Sequence, residues 1–137
     1  NAIIVNGVAL AGHVIVGKYA VIGGLAAVHQ FIHIGDHAMV SGGSLVRKDV
    51  PPFTKAAKEP LSYVGINSVG LRRRGFTTEK IKEIQDIYRI LYQKNYNTTQ
   101  ALGIIEAEME ATPERDEIID FIRNSSRGVM KGYSGNY

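Results

Sequence analysis

Four histidines and one run of arginines are the first candidates for chemistry in this sequence: His13, His29, His33 and His37, and Arg72–Arg74. An imidazole titrates near neutrality, so a positioned histidine can take a proton from an attacking hydroxyl. Guanidinium forks match the oxygens of a phosphate or diphosphate better than an ammonium does. His29, His33 and His37 are spaced i, i+4, which on a helix would let them converge on a metal. With no cysteine in the chain, thiolate metal sites and disulfides are excluded.

What these residues can do depends on the element that carries them, and the first third of the chain is a repeat. Every sixth residue from Ile4 is aliphatic: Ile4, Leu10, Val16, Ile22, Val28, Ile34, Val40 and Val46. Two residues before each stands a small or β-branched side chain, from Ala2 and Val8 through Ala38 to Ser44. The slot after each is mostly small, running Val5, Ala11, Gly17, Gly23, His29, Gly35, Ser41, Arg47. A helix of period 3.6 cannot hold residues six apart on one face. A two-residue strand followed by a tight corner can, with positions i−2 and i both pointing inward and the small slot letting the backbone turn. Three such faces close one coil of about eighteen residues, the hexapeptide signature of a left-handed parallel β-helix.

In that register the three closely spaced histidines occupy three different slots and do not converge within one chain. A zinc site between subunits stays open as an alternative reading, with His33 and His37 otherwise structural or at a subunit interface. His29 is the anomaly, a titratable ring where most coils have almost no side chain; it is either a solvated corner or part of a cleft. His13 lies eighteen residues before Phe31, one coil on, so a structural reading of His13 is a ring that packs on Phe31 in a stacked column. Fewer than three coils fit in residues 1–48, and a coil is stable only against its neighbours, so further coils are expected upstream of Asn1.

Charge marks the next boundary. Residues 1–49 hold five of the 29 charged residues, and the "DVPPF" that begins at Asp49 breaks any regular ladder. The organisation read here is β-helix coils over 1–53, an extended connecting segment over 54–76, a three-helix region over 77–128 and a weakly ordered tail from about 127 onward, with 129–137 beyond the helical region. Thr77 is the expected N-cap of the first helix, which runs to about Gln93 with Ile81, Ile84, Ile87, Tyr88 and Leu91 inward. A second helix is expected from about Thr99 to Ala111, with Leu102, Ile105 and Met109 inward. Thr112 and Pro113 start a third, which buries Ile118, Ile119, Phe121 and Ile122. Tyr88, Tyr92 and Tyr96 read as packing. A net charge of +3 and an isolated arginine run do not describe a nucleic-acid surface. No apolar run is long enough to cross a bilayer, so no membrane insertion is expected.

The succession "LAGHV", "IGGLAAVHQF", "IGDHAMVSGGS", "DVPPF", "GIN" and "GLRRRGF", followed by three helices, resembles the UDP-N-acetylglucosamine O-acyltransferases of lipid A biosynthesis. The likeness extends to about Gly128. It implies a cytoplasmic homotrimer of left-handed β-helices with C-terminal helical domains and active sites in clefts between subunits. The implied reaction, the first step of lipid A biosynthesis, moves an (R)-3-hydroxyacyl group from acyl carrier protein to the 3-hydroxyl of UDP-N-acetylglucosamine, with no metal or organic cofactor.

Carried over residue by residue, Gly12 matches the glycine whose N–H stabilises the oxyanion, and His13 a neighbouring active-site histidine. His29 and Gln30 match a His-Gln pair lining the same cleft. Asn6 matches a residue near the acyl or pantetheine arm. Met39 and Gly42 match the acyl-tunnel wall, the second setting chain length. Asn67, Arg73 and Arg74 match positions that hold the nucleotide. The family's His-Asp general base maps ahead of Asn1, so the chain by itself is expected to be inactive. Two departures bear on the nucleotide: Val69 stands where some relatives carry an acid, and Arg72 adds a third arginine to two family roles. Two other readings remain: an N-acyltransferase acting on the 3-O-acylated sugar, and a non-catalytic trimeric scaffold. The basic surface at Arg47, Lys48 and Arg72–Arg74 suits the acidic carrier protein.

Overall fold

The computed structural model describes residues 1–92 and 95–132 of the chain. Eight two-residue strands follow one another at intervals of six: β1 Ile3–Ile4, β2 Ala9–Leu10, β3 Ile15–Val16, β4 Val21–Ile22, β5 Ala27–Val28, β6 His33–Ile34, β7 Met39–Val40 and β8 Leu45–Val46. Each pairs in parallel with the strand eighteen residues on: Ile3 with Val21 and Val21 with Met39 on one face, Ala9 with Ala27 and Ala27 with Leu45 on the second, Ile15 with His33 on the third. A bridge from Ile34 to Val50 continues the third face. The hexad therefore closes a parallel β-solenoid of about three turns.

Its interior is the predicted column of aliphatic and small residues. Ile22, Ile34 and Val40 are fully buried, with Ala20, Ala26 and Ala38 between them. On the first coil the equivalent Ile4 and Leu10 are 45% and 42% exposed.

The corners correct one element of the sequence reading. The slot after each aliphatic residue is not where the backbone takes its unusual turn. The left-handed conformation falls two residues later, at His13, Tyr19, Leu25, Phe31 and His37 (φ 59–65°), with glycine at the equivalent Gly7 and Gly43. The small slot is small because the next coil crosses it. A Cβ on Gly23 would lie 2.4 Å from the Gly42 nitrogen, and one on Gly35 would lie 2.5 Å from that of Pro52.

Beyond the solenoid, β9 (Thr54–Ala57) pairs with β7 and turns back antiparallel into β10 (Ser62–Ile66). The segment expected to be extended also contains a short helix, α1 (Ser68–Arg73), because Asn67 caps it by accepting the Gly70 N–H at 3.3 Å. The three predicted helices follow as α2 (Thr78–Leu91), α3 (Thr98–Glu108) and α4 (Pro113–Arg123), capped by Thr77, Asn97 and Thr112. Asn97 and Gln100 form a reciprocal capping box, which starts α3 one residue earlier than expected. The helix ends at Glu108 because Met109 is already extended toward the Thr112 cap. Gln93, the expected end of the first helix, lies outside the described residues.

Helices α2–α4 share a core with Phe53, Ile66 and Leu71. Tyr88 is fully buried and donates to the Pro52 carbonyl; Tyr92 donates to that of Met130, and Tyr63 stacks on Tyr92 at 4.4 Å. Phe121 is only half-buried and lies against His33 at 4.7 Å.

The expectation of a weakly ordered tail does not hold for residues 127–132. Met130 is 1% exposed, and β11 (Lys131–Gly132) pairs with β10. Asp49 is the reason. Its two carboxylate oxygens accept the His33 N–H at 2.8 Å and the Ser125 hydroxyl at 2.5 Å, while its backbone bonds to Gly128 and Met130. Residues 133–137, the rest of the expected tail, lie outside the described residues.

Candidate active site

The coil geometry sorts the candidate residues onto three corners. The corner after β2 and β5 carries Gly12, His13, His29 and Gln30, all exposed. His13 and Phe31 stack there with centroids 5.1 Å apart and planes within 5°. Gly12 accepts the Phe31 N–H through its carbonyl at 3.2 Å, and among the described residues no acceptor takes its own N–H. At the next corner the equivalent N–H, of Lys18, is held by the Asp36 carboxylate at 2.7 Å. Gly12 thus presents an uncommitted donor beside an imidazole, the pairing that a developing oxyanion and its proton transfer require.

The corner after β1, β4 and β7 carries Asn6 and Gly42, with Met39 half-buried on the adjoining strand. Gly42 is also a packing position: a Cβ there would lie 3.0 Å from the Gly24 carbonyl oxygen.

The third corner meets the arginines. Arg74 lies over the Tyr19 ring, 4.1 Å from its centroid, and Tyr19 in turn stacks on His37. His37 is enclosed by Tyr19, Phe53 and Phe76 at 5.1–5.7 Å. Burial holds its pKa below the usual imidazole value; Arg74 and Lys18 push the same way and Asp36 opposes them. Asn67 is buried, and both polar ends of its side chain are engaged: the oxygen caps α1 and the amide donates to the His37 carbonyl at 3.0 Å. It fixes the helix from which the exposed Arg73 projects and which Arg74 caps.

Within one chain, therefore, the structure brings Gly12, His13, His29 and Gln30 together and leaves the other two groups on other corners. The register explains His29 as well. A Cβ at Gly17, Gly23 or Gly35 on the other two faces would meet the next coil, whereas Ala11 and His29 line an open groove. That groove, of about 480 Å³, is lined by Ala9, Leu10, Ala27 and Val28 together with His29, Gln30 and Arg127. Arg127 was not among the sequence candidates; no local pattern marks it, and long-range bonds from Lys48 and Asp49 carry it to this corner.

A family model described as "Udp N-acetylglucosamine O-acyltransferase; Domain 2" matches residues 49–130, more than half of the chain. The chain belongs to this family. Among curated members of the O-acyltransferase family, it is 42% identical over 113 residues to the acyl-carrier-protein–UDP-N-acetylglucosamine O-acyltransferase of Myxococcus xanthus, covering 82% of this chain and 44% of that protein. It is 36% identical over 131 residues to the enzyme of the same name from Thiobacillus denitrificans, covering 96% of this chain and 51% of the relative. The solved UDP-N-acetylglucosamine acyltransferase from Bacteroides fragilis superposes with a TM-score of 0.86 at 45% identity, over 95% of this chain and 53% of that structure. The chain thus spans about half the length of the curated O-acyltransferases it matches.

Proposed function

We propose that this chain is the C-terminal part of an acyltransferase that moves an (R)-3-hydroxyacyl group from acyl carrier protein to the 3-hydroxyl of UDP-N-acetylglucosamine, the first step of lipid A biosynthesis. The observation that carries the reading is the corner that Gly12, His13, His29 and Gln30 share on successive coils, with His29 and Gln30 lining an open groove, in a chain of this family. The free Gly12 N–H stabilises the oxyanion of the thioester carbonyl. His13 and His29 line the path of the transferring group, and Gln30 orients it. Asn6, Met39 and Gly42 hold the acyl arm, with Gly42 setting its length. Arg73 and Arg74 hold the nucleotide, on a helix seated by Asn67. The family's His-Asp base, which maps ahead of Asn1, takes the hydroxyl proton.

The separation of these groups onto three corners supports an assembly in which a neighbouring copy brings a second corner to the groove. The proposed assembly is a homotrimer of left-handed β-helices, each with its C-terminal helices as a domain. The proposed location is the cytoplasm. Among the described residues no helix is long and apolar enough to cross a membrane.

The test is an acyl-transfer assay on the full-length protein with UDP-N-acetylglucosamine and 3-hydroxyacyl carrier protein. An alkali-labile ester on the sugar is the expected product. An alkali-stable amide on an amino-sugar acceptor, with no ester, would move the chain to N-acyl transfer and void the nucleotide assignments.

A further inference from the structure

Arg127 has no role in anything described so far, yet its backbone is held with unusual care. Lys48 donates to its carbonyl at 3.0 Å, and the next residue, Gly128, accepts the Asp49 N–H at 2.9 Å. Its guanidinium lies over the Phe31 ring, 5.7 Å from the centroid, and Phe31 in turn stacks on His13. Among the described residues no carboxylate pairs with Arg127. Two acids of the neighbouring segments are otherwise committed: Asp49 to His33 and Ser125, and Glu59 to Arg47 at 3.4 Å. The groove is therefore lined by an exposed guanidinium that no carboxylate pairs, with Lys48 bonded to its backbone. Its walls are small and apolar and offer that charge no partner.

We propose that Arg127 is an anion-binding residue of this groove and takes a phosphate group of a substrate lying along it. The proposal rests on the acyl-transfer reading above, which offers two phosphates: the diester on the carrier-borne thioester arm and the diphosphate of the sugar nucleotide. A planar guanidinium prealigned on an aromatic face suits phosphate oxygens, and a groove lined by apolar residues and one cation fits an apolar arm that carries a phosphate.

The test is calorimetric binding to the full-length protein and its Arg127→Gln and Arg127→Lys variants. The probes are phosphopantetheine, pantetheine (which lacks the phosphate) and UDP-N-acetylglucosamine. Loss of one charge-assisted contact is expected to weaken phosphopantetheine binding about tenfold in Arg127→Gln and less in Arg127→Lys, with pantetheine unaffected. A tenfold loss for the sugar nucleotide instead upholds the anion role and assigns it to the diphosphate. Equal binding of every probe by parent and variants, or no phosphate-dependent binding by the parent, overturns the proposal. The Arg127 side chain anchors no backbone, so the variants should unfold within about 2 °C of the parent. Failure of the acyl-transfer reading itself shows elsewhere, as absence of ester product from the parent.

Discussion

His13 and Phe31, one coil apart, stack with centroids 5.1 Å apart and planes within 5°, on a corner where both residues take a positive φ. The stack holds an exposed histidine in one orientation beside the Gly12 N–H. Replacing Phe31 with Ala should cost about 0.5–1.5 kcal/mol of stability and lower acyl transfer in the full-length protein, whereas Phe31→Tyr should retain both. Urea unfolding alongside initial rates checks this; an Ala variant with parental rates would show that the orientation of His13 is immaterial.

The glycines of the coil should divide sharply. Gly23→Ala sets a Cβ 2.4 Å from backbone of the next coil and should destabilise by roughly 2–4 kcal/mol. Gly12→Ala meets nothing within 4 Å and should leave stability within about 1 kcal/mol of the parent, if anything raised. Equal losses in the two variants would contradict the account of the small slot as a crossing point between coils.

Asp49 ties the segment bearing Arg127 to the coil. Asp49→Ala strands the part-buried His33 N–H and Ser125 hydroxyl, and should cost about 1–3 kcal/mol. Amide hydrogen exchange should quicken at residues 128–132 more than on the coils. Unchanged protection there would remove Asp49 as the tether.

Glu117 on α4 is pushed up to about 7, chiefly by burial and then by the charge of Asp36, with which it shares a hydrogen bond. The folded state therefore holds a proton that the unfolded chain releases near 4.5. The associated stability is complete below pH 4.5, falls as pH rises toward 7 and is gone above it. Discounted for partial exposure, the effect is on the order of 1–2 kcal/mol. His37, with a lowered pKa, works in the opposite sense near neutrality. Subtracting Glu117→Gln from the parent isolates the carboxyl: the variant should gain on the parent between pH 5 and 8, and a constant difference across that range refutes it.

Gly42 has a packing reason to be glycine and a proposed chain-length role, and a pair of variants separates them. Gly42→Met should shift the full-length enzyme toward shorter acyl donors by about tenfold in relative kcat/KM, as a bulky side chain enters the tunnel wall. Gly42→Ala adds only a Cβ, 3.0 Å from the Gly24 oxygen, and should lower stability slightly while keeping the donor preference. Donor preference unchanged in Gly42→Met would defeat the chain-length role.

The solenoid was legible because its period is written in single residues. Ile4 to Val46 repeat every six positions, and no other element keeps such a set on one face. The helix starts were legible for a similar reason, since Thr77 and Thr112 satisfy free N–H groups a few residues away. The His13–Phe31 stack followed from the coil length alone. What only the folded chain decided depends on contacts between distant segments. Local spacing gives the small corner slot but not whether the next coil crosses it, so the reason for Gly23 and the openness at His29 came from the stacking of coils. A residue's tether can lie anywhere in the sequence: Asp49 draws Ser125 and Gly128 onto the solenoid and turns an expected tail into part of the groove. Asn67 binds the His37 carbonyl and seats the arginines by the same kind of long-range bond. Periodicity and caps act through neighbours along the backbone and survive in one dimension, whereas a groove is made by segments that meet only in three.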